Sequence, residues 1–236
     1  MQIQTVGIIG AGTMGNGIAQ ACATSGINVV MVDISEAAVQ KGLATVAGSL
    51  DRLIKKEKIS AADKEAALAK IKVSTDYSAL KAAQFVIEAA TENEALKIKI
   101  LQEVDALVGP EVLIASNTSS ISITKLAAVT GRADKFIGMH FFNPVPMMAL
   151  VEVIRGLQTS DATHAAVQAL AQQLGKTPIT VKNGPGFVVN RVLIPMINEA
   201  FFVLAEGLAT AEDIDAGMKL GCNHPIGPLA LADMVG

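Results

Sequence analysis

Two residues of the sequence are hard to place unless they do chemistry. His140 lies in "GMHFFNPVPMM", between apolar residues, and Glu152 lies at the centre of "ALVEVI". A carboxylate in a buried strand is costly unless it is paired. A His–Glu hydrogen bond would satisfy both side chains. It would also fix the tautomer of the imidazole, as a general base requires. Each residue alone has a plainer explanation. A His among apolar neighbours is often a satisfied core residue, and an acid in a strand can sit on an edge facing water. Together the two explain each other better. Ser119, in the polar run "SNTSSISI", is a further candidate. It, or equally Ser120, also suits the cap of a helix beginning near Ile121. Asn190 falls on a helix face with Ile194, Ile197 and Phe201. That face should be buried, so its amide needs a partner. A ligand or a neighbouring helix would serve, and the sequence leaves both open.

A second group of residues suits phosphate binding. In "GIIGAGTMGNGIAQ", residues 7–20, Gly10, Gly12 and Gly15 form the pattern G-x-G-x-x-G. An apolar run precedes it and a small-residue helix follows. The run 28–32 then reads as a second strand ending on Asp33. In such a βαβ unit the first glycine permits the tight turn. The second admits a pyrophosphate to the backbone, and the third lets the helix pack close to the strand. The helix start offers unpaired N–H groups and a positive dipole end. Asp33 can accept from a ribose 2′-hydroxyl and would repel a 2′-phosphate, so the expected cofactor is NAD rather than NADP. Thr13, Met14 and Asn117 are expected to line the same cofactor site. The plain alternative is a tight turn in an α/β protein with no ligand.

These residues need a scaffold. Strand-like runs recur at 6–10, 28–33, 85–88, 112–116, 136–140, 150–154 and 177–181. Helical stretches such as 95–108 and 161–174 separate most of them. Alternation of this kind predicts an α/β, Rossmann-like, doubly wound and mostly parallel sheet. The runs at 150–154 and 177–181 fit the simple pattern least. In such sheets ligands bind beyond the carboxyl ends of the strands. Those ends carry Gly10, Asp33, residues 88–92, residues 116–120, and His140 with Asn143. The stretch 36–71 is too long for one crossover helix and reads as an inserted helical hairpin standing out from the sheet. Its first helix, 36–58, carries Leu43, Val46, Leu50, Leu53 and Ile54 on one side and ends in Arg52, Lys55, Lys56 and Lys58. Its second, 60–71, opens on Ser60 and Asp63, a plausible cap. Gly184-Pro185-Gly186 then breaks the chain. We expect a cofactor domain over 1–183 and an all-α domain over 184–236. The latter holds a nearly all-apolar helix to about residue 205 and a helix over 211–220 capped by Thr210. A helix apolar on all sides should be buried. One short partner cannot cover it, so the second domain reads as incomplete.

Composition narrows the class. The chain has 236 residues, 51% hydrophobic and 17% charged, with a net charge of −3. No global field draws it to nucleic acid, and 3% aromatics without Trp argue against base-stacking platforms. Two cysteines, Cys22 and Cys222, make neither a disulfide framework nor metal-ligand spacing, so no metal site is expected. No apolar run is long enough to span a bilayer, and no signal segment opens the sequence. A cytoplasmic protein with no membrane partner is the expectation.

The stretches "GAGTMGNGIAQ", "SNTSSISI", "HFFNPVPMMALVEVI", "KNGPGFVVNRV" and "NHPIGPLALAD" together resemble the L-3-hydroxyacyl-CoA dehydrogenases. The C-terminal stretch is most similar to the family's bacterial 3-hydroxybutyryl-CoA branch. The resemblance covers the whole chain, and its middle motif is the most specific part. It implies NAD-dependent interconversion of 3-hydroxyacyl-CoA and 3-oxoacyl-CoA, in β-oxidation or butanoate metabolism. By the same resemblance His140 is the catalytic base, Glu152 its orienting acid, and Ser119 and Asn190 are substrate-holding residues. Asp33, Glu92, Lys97 and Asn143 match cofactor contacts, and Ser49 and Lys56 match coenzyme A contacts. The basic end of the hairpin suits a nucleotide's phosphates. Family members continue past "GPLALAD", which implies a C-terminally truncated chain here, and they dimerise through the helical domain. Two rivals stand beside this reading: a dehydrogenase of a free hydroxy or sugar acid, and a non-catalytic NAD-binding module.

Overall fold

The computed structural model describes residues 3–235. The chain divides into two compact units, Met1–Pro185 and Gly186–Gly236.

The first unit is built on an eight-stranded sheet of order β3-β2-β1-β4-β5-β6-β7-β8. Its strands are β1 (Thr5–Ile9), β2 (Asn28–Val32), β3 (Ile71–Ser74), β4 (Phe85–Glu88), β5 (Leu113–Ser116), β6 (Phe136–Phe141), β7 (Leu150–Arg155) and β8 (Thr177–Lys182). β1 through β6 run parallel to one another, while β7 lies antiparallel to β6 and β8, parallel to β7, shares its reversed direction. The central strands are buried on both faces: Val6, Ile8, Val86, Ile87, Ile114 and Ile137 have no exposed surface. That is why they read as continuous apolar runs rather than alternating ones.

Helices α1 (Thr13–Thr24), α2 (Glu36–Lys55), α3 (Ala61–Ala69), α4 (Glu94–Leu107), α5 (Ile123–Ala127) and α6 (Asp161–Gln173) connect the strands. Their starts are set by side chains. Ser35, Asn93, Ser122 and Ser160 each accept a hydrogen bond from the third backbone N–H of their helix, and Ser60 and Asp63 form a reciprocal capping box. α1 is made of small residues because it lies flat on the sheet, with Ile18, Ala19 and Cys22 fully buried.

Three local expectations change. The hairpin's second helix stops at Ala69, and residues 71–74 form the edge strand β3 beside β2. The hairpin does not stand clear of the sheet. Val39, Val46 and Leu50 are fully buried, and a Cβ on Gly42 would come within 2.8 Å of Ala11, so α2 lies directly on the glycine loop. The helix after the polar run 116–120 begins at Ile123 with Ser122 as its cap, so neither Ser119 nor Ser120 caps it.

The second unit contains α7 (Val189–Ala205), α8 (Ala211–Gly221) and α9 (Pro228–Val235), the last unforeseen from sequence. Thr210 caps α8. Asp215 of α8 caps α9 from outside, accepting from Leu229 N–H at 2.8 Å and Ala230 N–H at 2.9 Å. A small core forms from Ala200, Ile214 and Leu229. α7 keeps apolar surface that its short partners do not cover. Val192 is 65% exposed, Ile194 55%, Phe201 48% and Phe202 54%.

Candidate active site

The antiparallel switch at β7 places His140 directly opposite Glu152 in register. Facing residues of an antiparallel pair hold their side chains side by side, and His140 Nδ1 lies 2.7 Å from Glu152 Oε2. His140 is 6% exposed and Glu152 not at all. An ionised carboxylate can only accept. Nδ1 therefore carries the proton, and the Nε2 lone pair is the basic site. The ring of Phe142 lies 4.6 Å from the imidazole centroid and walls one side of it.

The cofactor cradle lies at the same edge of the sheet, at the end of β1. From there to β6 is three strand spacings, about 14 Å. Gly10 has φ +100°, and a Cβ there would strike Ala89 O at 2.6 Å. A Cβ on Gly15 would sit 1.8 Å from Gly10 O, so any side chain would push α1 off the strand. A Cβ on Gly12 would meet nothing within 4 Å. It points into the open space that a pyrophosphate would take, in front of the first N–H groups of α1. A cavity of about 310 Å³ opens there, lined by Gly12, Thr13, Asn16, Asp33, Lys41 and Thr45 among others. Asp33 ties the loop to the end of β2: its carboxylate accepts from Ala11 N–H at 2.6 Å and from Ile34 N–H at 2.7 Å. Each oxygen keeps a second lone pair for a ribose hydroxyl. These residues fit a dinucleotide. Met14 is half-buried against the core below.

Hydrogen bonds fix the strand ends that lie between cradle and imidazole. Glu92 accepts from Thr118 Oγ1 at 2.7 Å and from Ser119 N–H at 3.1 Å, fixing the backbone that carries Ser119. Thr118 Oγ1 in turn accepts from Ile121 N–H at 3.0 Å. Asn117 is buried with its carboxamide oxygen accepting from Phe141 N–H, which locks the end of β5 to the end of β6. Lys97 lies on α4 beneath the ends of β4 and β5. It is 1% exposed, its ammonium paired with Glu88, which also accepts from Ser116 Oγ and Ala90 N–H. A buried charge so compensated is costly to break, so Lys97 holds β4, β5 and α4 together beneath the site. Asn143 is exposed, just after β6. Asn190 is half-buried on α7 of the second unit, on a face whose Ile194 and Phe201 are half-exposed rather than buried.

A second cavity, of about 460 Å³, brings Ser49, Arg52, Lys56 and Lys58 together with Pro144, Pro146 and Met147. Sequence reading passed over Asn16, Lys41 and Thr45. The signal was present: 41, 45, 49, 52 and 56 recur every three or four residues and share one face of α2. That face runs from the first cavity to the second. Cys22 is fully buried on α1, and burial pushes its thiol up to about 12. Among the described residues no three His, Cys, Asp or Glu side chains gather as metal ligands, and no helix is long and apolar enough to cross a membrane.

Comparison with known proteins places this geometry. The 3-hydroxyacyl-CoA dehydrogenase NAD-binding domain matches residues 5–184, and the C-terminal domain of the same family matches residues 186–236. The chain is 49% identical over 234 residues to a 3-hydroxybutyryl-CoA dehydrogenase of Bradyrhizobium diazoefficiens, covering 99% of this chain and 80% of that one. It is 78% identical to the crystal structure of (S)-3-hydroxybutyryl-CoA dehydrogenase from Ralstonia eutropha, with a TM-score of 0.98 over 100% of this chain and 83% of the other. A more distant structure, an NAD+-dependent dehydrogenase of a pyridine carboxylic acid, is 34% identical with a TM-score of 0.85, covering 100% of this chain and 77% of its own. With both of its domain types matched in order along the whole length, this chain belongs to the 3-hydroxyacyl-CoA dehydrogenase family.

Proposed function

We propose that this chain catalyses the reversible oxidation of a short (3S)-3-hydroxyacyl-CoA, such as 3-hydroxybutyryl-CoA, to the 3-oxoacyl-CoA with NAD. The observation that carries the reading is the buried His140–Glu152 pair at 2.7 Å, set at the strand edge that also carries the glycine cradle. His140 Nε2 takes the proton of the C3 hydroxyl. NAD, when bound, supplies the acceptor for the C3 hydride. In the reverse direction Nε2–H returns a proton to the forming alkoxide. Glu152 holds the ring orientation throughout and offsets the charge of the imidazolium. We assign Ser119 and Asn190 to holding the reacting oxygen and the thioester, and Asp33, Glu92 and Asn143 to cofactor contact. Ser49 and Lys56 are assigned to the coenzyme A moiety. Residues 1–183 serve as the cofactor domain and 184–236 as the helical domain, through which two copies associate. A cytoplasmic site of action in fatty-acid or butanoate metabolism completes the proposal.

One observation favours a second reading. The relative named for a pyridine carboxylic acid shares the fold without a CoA thioester in its name. The cationic cavity on α2 discriminates, since a free acid leaves it without a ligand. NADH oxidation by acetoacetyl-CoA should exceed that by acetoacetate about 100-fold or more in kcat/KM, because remote binding energy lowers the barrier of the reacting part. Equal rates would favour the free-acid reading.

A further inference from the structure

The loop 142–149 joins the two strands that carry His140 and Glu152. It also closes the cationic cavity: Pro144, Pro146 and Met147 line it, across from Arg52, Lys56 and Lys58. Its other side rests on α1. Val145 is 2% exposed, and a Cβ on Gly17 would come within 2.9 Å of it. The loop thus touches all three parts of the site in the first unit: the cofactor helix, the catalytic strands and the cationic cavity. Little of it is held by regular structure. Pro144 O accepts from Met147 N–H at 2.9 Å and Met148 N–H at 3.0 Å, forming a turn. Outside that turn, Val145 packs on α1, Ala149 O accepts from Thr177 N–H at 2.7 Å at the loop's end, and one side chain reaches into its middle. Lys176 Nζ donates to Val145 O at 2.6 Å and to Met148 O at 2.9 Å.

Lys176 is well placed for this task. It follows Gly175, whose φ of +69° ends α6, and its own N–H donates to Ala171 O at 3.0 Å. Its backbone is therefore fixed to α6 and leads straight into β8. The side chain spans from that rigid base to two carbonyls of the loop. Charged donors make hydrogen bonds roughly twice as strong as neutral ones. Burial pushes the Lys176 pKa down from 10.5, which is the cost of keeping an ammonium partly out of water. A packing role alone would be served by an apolar side chain without that cost.

We propose that Lys176 is a positioning residue for coenzyme A recognition: it holds the loop 142–149 as the wall of the cationic cavity, so that Pro144, Pro146 and Met147 meet the nucleotide end of the substrate. This inference rests on reading that cavity as the coenzyme A site. The test compares acetoacetyl-CoA with a truncated acetoacetyl thioester lacking the nucleotide, in wild type, Lys176→Met, Lys176→Gln and Lys176→Arg. Removing two charged hydrogen bonds should raise the KM for acetoacetyl-CoA about tenfold in Lys176→Met. Turnover of the truncated thioester should change by less than about twofold, since it does not reach the wall. Lys176→Arg keeps the donors and should restore most of the preference for the full substrate. Lys176→Gln, a milder change, gives the same comparison should Lys176→Met fail to fold. Equal losses on both thioesters, or an undiminished preference in Met and Gln variants alike, would overturn the proposal. A wild-type protein that treats both thioesters equally would instead overturn the coenzyme A reading of the cavity.

Discussion

At the scale of single residues, the site depends on one cross-strand pair. His140 and Glu152 face each other only because β7 returns antiparallel to β6. Neither side chain is replaceable by an apolar one without leaving the other buried with its hydrogen bond broken. His140→Gln should lower kcat by about 10²–10⁴ or more while NADH still binds, because the proton acceptor is lost and the cradle is not. Glu152→Gln should lose much of the activity, because the amide no longer demands the Nδ1–H tautomer. Adding it to His140→Gln should cost little further, since groups acting as a unit are not additive. Steady-state kinetics on the three variants decides the matter. Strictly multiplicative losses would mean the two act separately.

At the scale of elements, α2 is the part with two tasks. Its buried face, Val39, Gly42, Val46 and Leu50, fixes it on the glycine loop. A flanking stripe carries Lys41, Thr45, Ser49 and Arg52 and ends on the cap residue Lys56. At 1.5 Å per residue this stripe is about 22 Å long. Lys41 lines the cofactor cavity and Lys56 the second one. Charge reversals at the two ends should therefore separate. Lys41→Glu should weaken NADH binding several-fold, roughly 3–10-fold for an exposed phosphate contact, and leave the KM for acetoacetyl-CoA nearly unchanged. Lys56→Glu should do the opposite, and should spare a thioester that lacks the nucleotide. Fluorescence titration of NADH beside initial-rate kinetics gives both quantities. Parallel losses in both would indicate that the substitutions disturb α2 rather than its ligands.

At the scale of the whole molecule, the helical unit leaves apolar surface open. Phe202, Leu208 and Leu220 are 54%, 70% and 86% exposed, and a cavity of about 460 Å³ opens between Met196, Ala200, Val203, Ile214 and Met218. Covering one such side chain is worth roughly 1.5–3 kcal/mol. Self-association would cover apolar surface of this kind. Sedimentation or light scattering should find the chain associated in a concentration-dependent way. Phe202→Asp should shift it toward monomer without changing the affinity for NADH. A wild-type monomer at high concentration would remove the basis for self-association.

The sequence by itself was enough to name the cofactor and to place the glycine loop between its two strands. The glycine pattern, the strand before it and Asp33 after it are local, and local backbone geometry dictates them: φ +100° at Gly10 and the 1.8 Å approach at Gly15 leave no room for other residues. The central strands were legible because burial on both faces makes them continuous apolar runs. β3 was not, because residues 71–74 are short, lie at an edge and continue the apolar spacing of the helix before them. α9 was missed for a similar reason, since its cap, Asp215, comes from another helix rather than from the preceding residue. Only the tertiary structure decided the remainder. Lys97 lies in the helical stretch 95–108, where the sequence shows no partner for it, yet the fold turns it inward onto Glu88. Lys176 lies between the helical stretch 161–174 and the strand-like run 177–181, yet it bonds to a loop 28 and 31 residues away. Side chains that act across such distances are placed by strand order and register, which emerge from the packing of the whole sheet and not from the residues on either side of them.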